Sequence, residues 1–240
     1  MSLDGSILLE TLRITTPLIG VYDAPDPAAF EPLVDPGTAP RVCLFSFFQS
    51  WLDGKTLHLT RQRHGCRGCG YWLFGEEFRT REEFVRFLVD DEGLKASHEL
   101  MRSWLDERKP YHPAHEHLFI GPLRKEQQAY LKTVTFFVNP DQLSALLLAA
   151  QYRAPEEPPP VAAPFGSGCM QLLPLLENEG MPPAVIGATD IAMRQHLPAE
   201  MLAFSVTPAL FSQMSSLGEE SFLGKPFWRR LTQARDAGAS

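Results

Sequence analysis

The feature that most constrains this chain is the alternation of short apolar runs with stretches that carry helix starts. Pro17–Tyr22 (PLIGVY), Lys55–Arg61 (KTLHLTR), His117–Pro122 (HLFIGP), Thr133–Val138 (TVTFFV), Pro183–Gly187 (PAVIG) and Leu202–Thr207 (LAFSVT) are bounded by turn-forming or charged residues. They are too short for helices and read as strands. Between them, Thr80-Arg81-Glu82-Glu83 is a capping box, and Asn139-Pro140 supplies a cap followed by proline at the first helical position. Thr189 can cap a helix holding Asp190 and Arg194, and Pro208 opens another. Further helices are expected over 4–13, with Ile7, Leu8 and Leu12 on one face, over 41–52, stopped by Asp53-Gly54, and over 94–108, with Leu94, Met101, Trp104 and Leu105 at helical spacing. This order predicts an α+β or α/β protein: a mixed sheet with helices packed on it.

With 44% hydrophobic residues, the 240-residue chain can bury a sizeable core, and we expect one compact unit over 1–240. The order strand, helix, strand, glycine-rich turn with cysteine, helix occurs at 17–75 and again at 133–176. It suggests two related halves in which the Cys66 and Cys169 turns are equivalent. The proline-rich stretch ending at Pro40 reads as a surface loop, and Ala154–Pro160 as linker-like. The net charge of -7 argues against nonspecific nucleic-acid binding, which needs Lys and Arg against phosphates. No apolar run reaches the roughly 18 residues of a membrane span, and no secretory leader is visible. The expected compartment is therefore cytoplasmic, where cysteines are thiols, metal ligands or redox groups.

Four cysteines, Cys43, Cys66, Cys69 and Cys169, carry the chemistry most worth weighing. The Cys66-Arg67-Gly68-Cys69 spacing at a helix start lets two thiols face one ligand, and helix-start amides favour the thiolate. That suits zinc, an iron–sulfur cluster or a redox dithiol, with all four cysteines as a candidate ligand set. It equally suits buried free thiols, since cysteine is among the most buried residues. The alternative site is Gly166-Ser167-Gly168-Cys169, whose small residues could form an anion nest at a helix start, with Asp190 and Arg194 nearby. Arg194 could orient a ligand carboxylate, making the protein a binder of small anions or an enzyme on them; blandly, Asp190 and Arg194 are a helix ion pair. The histidines of His112-Pro113-Ala114-His115-Glu116-His117 could join a metal site or simply be solvated.

Several of these segments together resemble one family. They are PLIGVY, Cys43 in a helix ending at Gly54, HGCRGCGYWLFG, the GPL of Gly121–Leu123, FVNPDQLSALLLAAQY, PFGSGC, and GATDIAMR followed by FSVTP. The chain resembles the domain of unknown function 169 family, described as uncharacterised ArCR, over most of its length. The resemblance implies no particular reaction. Cys69 stands where many relatives are expected to carry a small residue, so the family does not imply the paired thiols.

Overall fold

The computed structural model describes residues 4–37, 42–76, 80–154 and 159–238. All the apolar runs read as strands pair into a single mixed sheet. Its strands are β1 (Ile19–Ala24), β2 (Leu33–Val34), β3 (Thr56–Leu59), β4 (His117–Pro122), β5 (Leu131–Val138), β6 (Val161–Ala162), β7 (Ala184–Gly187) and β8 (Leu202–Val206). The eight strands lie in the order β2-β3-β4-β1-β5-β8-β7-β6. That order is a palindrome. At its centre β1 and β5 run antiparallel, with Ile19 opposite Thr135 and Val21 opposite Thr133. Outward from this pair come β4 and β8, then β3 and β7, each antiparallel to its inner neighbour. The outermost strands, β2 and β6, run parallel to theirs.

The helices are α1 (Ser6–Thr11), α2 (Phe48–Leu52), α3 (Arg67–Phe74), α4 (Arg81–Arg86), α5 (His98–Asp106), α6 (Pro140–Gln151), α7 (Gly168–Leu172), α8 (Pro174–Glu177), α9 (Ile191–Arg194), α10 (Pro208–Ser215) and α11 (Pro226–Gly238). Side chains alternate across each strand and so divide them into two layers. Leu57, Leu118, Ile120 and Phe137 face a layer built from α2–α5 and α7–α9. Phe119, Val134, Phe136 and Phe204 face the opposite layer, built from α1, α6 and α10. The Trp228 indole of α11 donates to the Thr11 carbonyl at 2.6 Å and ties the last helix to the end of α1. All four cysteines belong to the first layer.

Local signals placed most helix starts. Thr80 and Asn139 both form complete capping boxes. The expected 41–52 helix is a 3₁₀ turn, Leu44–Phe47, running into α2. Differences have local causes. Ser97 caps α5, so Leu94 falls outside that helix. Ile7 is 63% exposed while Leu8 and Leu12 are buried, which narrows the apolar face of α1. The two-residue strand β2 is not expected, since two residues carry no period, whereas β6 falls where the 133–176 repeat places a strand before the Cys169 turn. Residues 38–41, at the end of the proline-rich loop, and 155–158, within the linker-like stretch, lie outside the described residues.

The palindrome also sets which turns correspond. The Cys66 turn follows the third strand of its half, whereas the Cys169 turn follows the second strand of the other. The counterpart of the Cys169 turn is the one at Cys43, and the counterpart of the Cys66 turn is the one at Asp190.

Candidate functional site

Each of the four outer strands is followed by a turn and a helix start in the same layer. Cys43 caps the helical segment after β2, and Cys66 caps α3 after β3. Ser167 caps α7 after β6, and Asp190, rather than the expected Thr189, caps α9 after β7. All four caps have extended backbone, the geometry that aims a cap side chain at the first free amides of its helix. Gly75 ends α3 in the left-handed conformation at φ 65°, which limits that helix to its cysteine-bearing turns and the aromatic segment Tyr71–Phe74.

These helix starts meet. The Cys66 and Cys69 sulfurs are 3.5 Å apart. Cys69 and Cys169 are buried in one core cluster where α3 packs on α7. The Cys169 sulfur lies 3.3 Å from the Ser167 hydroxyl. The Gly168 amide donates to Asp190 at 3.4 Å. Cys43 senses the charges of Cys66, Cys169 and Asp190. The structure thus places all four predicted cysteines in one layer, with Cys66 and Cys69 in contact, and all four are free.

Their surroundings make them unlike. Cys69 and Cys169 are buried, at 1% and 5% exposure, while Cys43 and Cys66 are half-buried. The contact with the Cys69 thiol pulls the Cys66 thiol down to about 6. Burial acts the other way, but the Cys69 and Gly68 amides of the helix start and the neighbouring His64 help to lower it. The Cys69 thiol is pushed well up by its contacts with Cys169 and Cys66 and by complete burial. Burial pushes the Cys43 thiol up to about 12, and the nearby Cys66, Cys169 and Asp190 charges add to it. His64, two residues before Cys66, was missed as a member of this group. Its Nδ1 lies 3.2 Å from the Cys66 carbonyl and its Nε2 3.0 Å from Glu76, which fixes the ring beside the thiol.

The other expected site residues have other partners. The Arg194 guanidinium donates to the backbone carbonyls of Ala188, Pro198, Ala199 and Met201, so it holds the 188–201 segment together instead of facing a ligand. Asp190 accepts from the Ala192 and Gly168 amides. Asp190 and Arg194 thus engage different groups, and the anion at the Gly166-Ser167-Gly168 turn is the chain's own Asp190 carboxylate. The histidines of 112–117 separate: His115 Nδ1 lies 2.9 Å from the buried Asp23 carboxylate, while His117 Nδ1 lies 3.1 Å from His58 Nε2. Asp23 also accepts from the Tyr111 hydroxyl and the Ala114 and His115 amides; burial raises its carboxyl, but these bonds outweigh it and hold it below the usual range.

Among the described residues, no three His, Cys, Asp or Glu side chains are arranged to hold a metal ion, so the four-cysteine ligand set is not assembled here. A surface cleft lined by Lys109, Tyr111, His112, Pro174, Glu177 and Asn178 includes none of the cysteines. Among the described residues no helix is long and apolar enough to cross a membrane. No curated protein and no solved structure matches the chain. Residues 7–216, a span that includes all eight strands and all four cysteines, match the family DUF169, described as Uncharacterised ArCR. The chain belongs to that family.

Proposed function

We propose that the protein acts as a thiol–disulfide redox protein in which Cys66 is the attacking thiol and Cys69 the resolving one. The observation that carries this reading is the contrast within the pair. Cys66 is a half-buried helix cap whose thiol is pulled down to about 6, and its buried partner, pushed well up, stands 3.5 Å away. An attacking thiol needs thiolate and access; a resolving thiol needs proximity and protection from outside reagents.

The chemistry follows from that asymmetry. The Cys66 thiolate attacks one sulfur of a substrate disulfide, forming a mixed disulfide and expelling the other substrate sulfur as a thiolate. Cys69 then loses its proton and attacks the Cys66 sulfur. The Cys66–Cys69 disulfide forms, and the remaining substrate sulfur leaves as a thiolate. One substrate disulfide is reduced to two thiols as one protein dithiol is oxidised.

The test is alkylation of the reduced protein with iodoacetamide across pH 5–10, with each cysteine followed by peptide mass spectrometry. Cys66 should react with a half-point near 6 and at neutral pH at least ~100-fold faster than Cys43, because its thiolate fraction more than offsets its lower intrinsic nucleophilicity. A Cys66 profile with its half-point near 9, or no preference for Cys66, rejects the reading. Stoichiometric zinc or iron in protein purified without oxygen would favour a metal site instead.

A further inference from the structure

The dithiol mechanism uses two of the four thiols and leaves Cys169 with no part. Cys169 is nevertheless buried in the same core cluster as Cys69, the thiol that resolves the first step, and helps to push that thiol up. It comes from the other half of the palindrome, on α7, which packs against α3. Its sulfur is 3.3 Å from the half-buried Ser167 hydroxyl, a group that can pass a proton between a buried thiol and water. Cys69 therefore has the half-buried Cys66 beside it on its own helix and the buried Cys169 on the helix packed against it.

We infer that Cys169 is the third member of a thiol relay, taking the oxidation from the Cys66–Cys69 disulfide and holding it as a Cys69–Cys169 disulfide that joins α3 to α7. This inference rests on the dithiol reading. In the step proposed, Cys169 gives up its proton to water by way of Ser167, and its thiolate attacks the Cys69 sulfur. The Cys69–Cys169 bond forms, the Cys66–Cys69 bond breaks, and Cys66 leaves as a thiolate. No further oxidant is consumed, because one disulfide replaces another. The direction is set by the leaving group: of the two sulfurs bonded in the first disulfide, Cys66 is the better stabilised as an anion by helix-start amides and His64.

Two consequences distinguish the relay from a two-thiol device. The oxidised protein presents Cys66 as a free thiolate again. The stored disulfide closes a loop of about 100 residues between the two halves, whereas a Cys66–Cys69 bond closes almost none. Loop closure on that scale predicts a rise in Tm on oxidation of roughly 5–10 °C.

The experiment is titration of the reduced full chain with oxidised glutathione, followed by alkylation, non-reducing peptide mapping and a melting curve. The expected product has Cys69 joined to Cys169, Cys66 alkylated, and the raised Tm. Cys169→Ala should stop at the Cys66–Cys69 disulfide with no rise in Tm, and Cys69→Ser at the glutathione adduct on Cys66. A Cys66–Cys69 disulfide in the natural sequence, with Cys169 left as a thiol, overturns the relay while the dithiol reading stands. A lasting glutathione adduct, any other linkage or no disulfide overturns the relay. If Cys66 is also slow to alkylate, the dithiol reading falls with it. The mapping of the natural sequence decides the question even if a variant does not fold.

Discussion

The two halves of the palindrome put different groups at the same place. After the third strand of the first half stands Cys66; after the third strand of the second half stands Asp190. Both cap a helix with extended backbone, and the Asp190 side chain accepts the Ala192 amide. Asp190 brings a carboxylate whose bonds to the Ala192 and Gly168 amides close the second half onto itself. Cys66 brings a charge that can be titrated, alkylated or oxidised. The same helix start thus carries a structural carboxylate in one half and a titratable thiol in the other. Arg194 sharpens the contrast, since it binds four carbonyls of its own half and no part of the other.

The comparison can be broken most directly by exchange. Cys66→Asp installs the second half's fixed charge in the first. The chain should fold, but the rapidly alkylated thiol should vanish, a loss of at least ~100-fold in total labelling rate at pH 7. If fast labelling persists, the reactive thiol is elsewhere. Arg194→Ala should cost about 2–3 kcal/mol by leaving backbone carbonyls unpaired, measured by denaturant unfolding. The Cys66 alkylation profile should not move; a shifted half-point would show that the second half is not merely structural. Gly168→Ala probes the seam itself. A methyl there would stand 2.5 Å from Phe45 and 3.2 Å from Met193, so overpacking should destabilise by about 1–2 kcal/mol.

The pH dependence of stability separates the thiols. Cys66 titrates near 6 in the folded chain, against an ordinary 9.0. Its contribution is therefore fully present above 9 and lost as pH falls through 6. Stability should rise across that window by about 1–2 kcal/mol, allowing for a thiol that solvent partly screens. Cys43 has the opposite sign, with a folded value of about 12 against 9.0, so its contribution is present below 9 and lost as pH rises through 12. Urea melts should place maximal thiol-linked stability near 9, and Cys66→Asp should remove only the lower limb. The smallest effect belongs to Asp190→Asn. The amide keeps one acceptor of two, so the expected cost is about 0.5–1 kcal/mol, and a null result in melting curves would show that the Gly168 contact contributes nothing.

Much of the architecture was legible because it is local. Asn139 and Thr80 satisfy their own helix ends within three residues, so their caps can be read from spacing alone. The Cys66–Cys69 pair was legible for the same reason. What escaped depends on distant partners. Asp190 reads as a helix residue until Gly168, twenty-two positions away, donates to it. Arg194 reads as the partner of Asp190 or of a ligand carboxylate until the chain folds back and surrounds it with carbonyls. Asp23 gives no signal, because the groups that bury it lie 88–92 residues further along. The correspondence of turns was misread because the two-residue strand β2 went uncounted in the first half while its counterpart β6 was counted in the second.

Those same short strands govern how the sheet ends. An exposed strand offers its unpaired amides and carbonyls to any extended segment that comes near, and a long one can recruit a neighbouring molecule. Here the outermost strand on each side, Leu33–Val34 and Val161–Ala162, has two residues. Each offers too brief a ladder to template another chain, and the long, apolar strands β1 and β5 sit at the centre, furthest from either edge. A fold whose two halves join strand to strand could in principle keep adding halves. Among the described residues this sheet has eight strands, and each half ends in an edge of two residues.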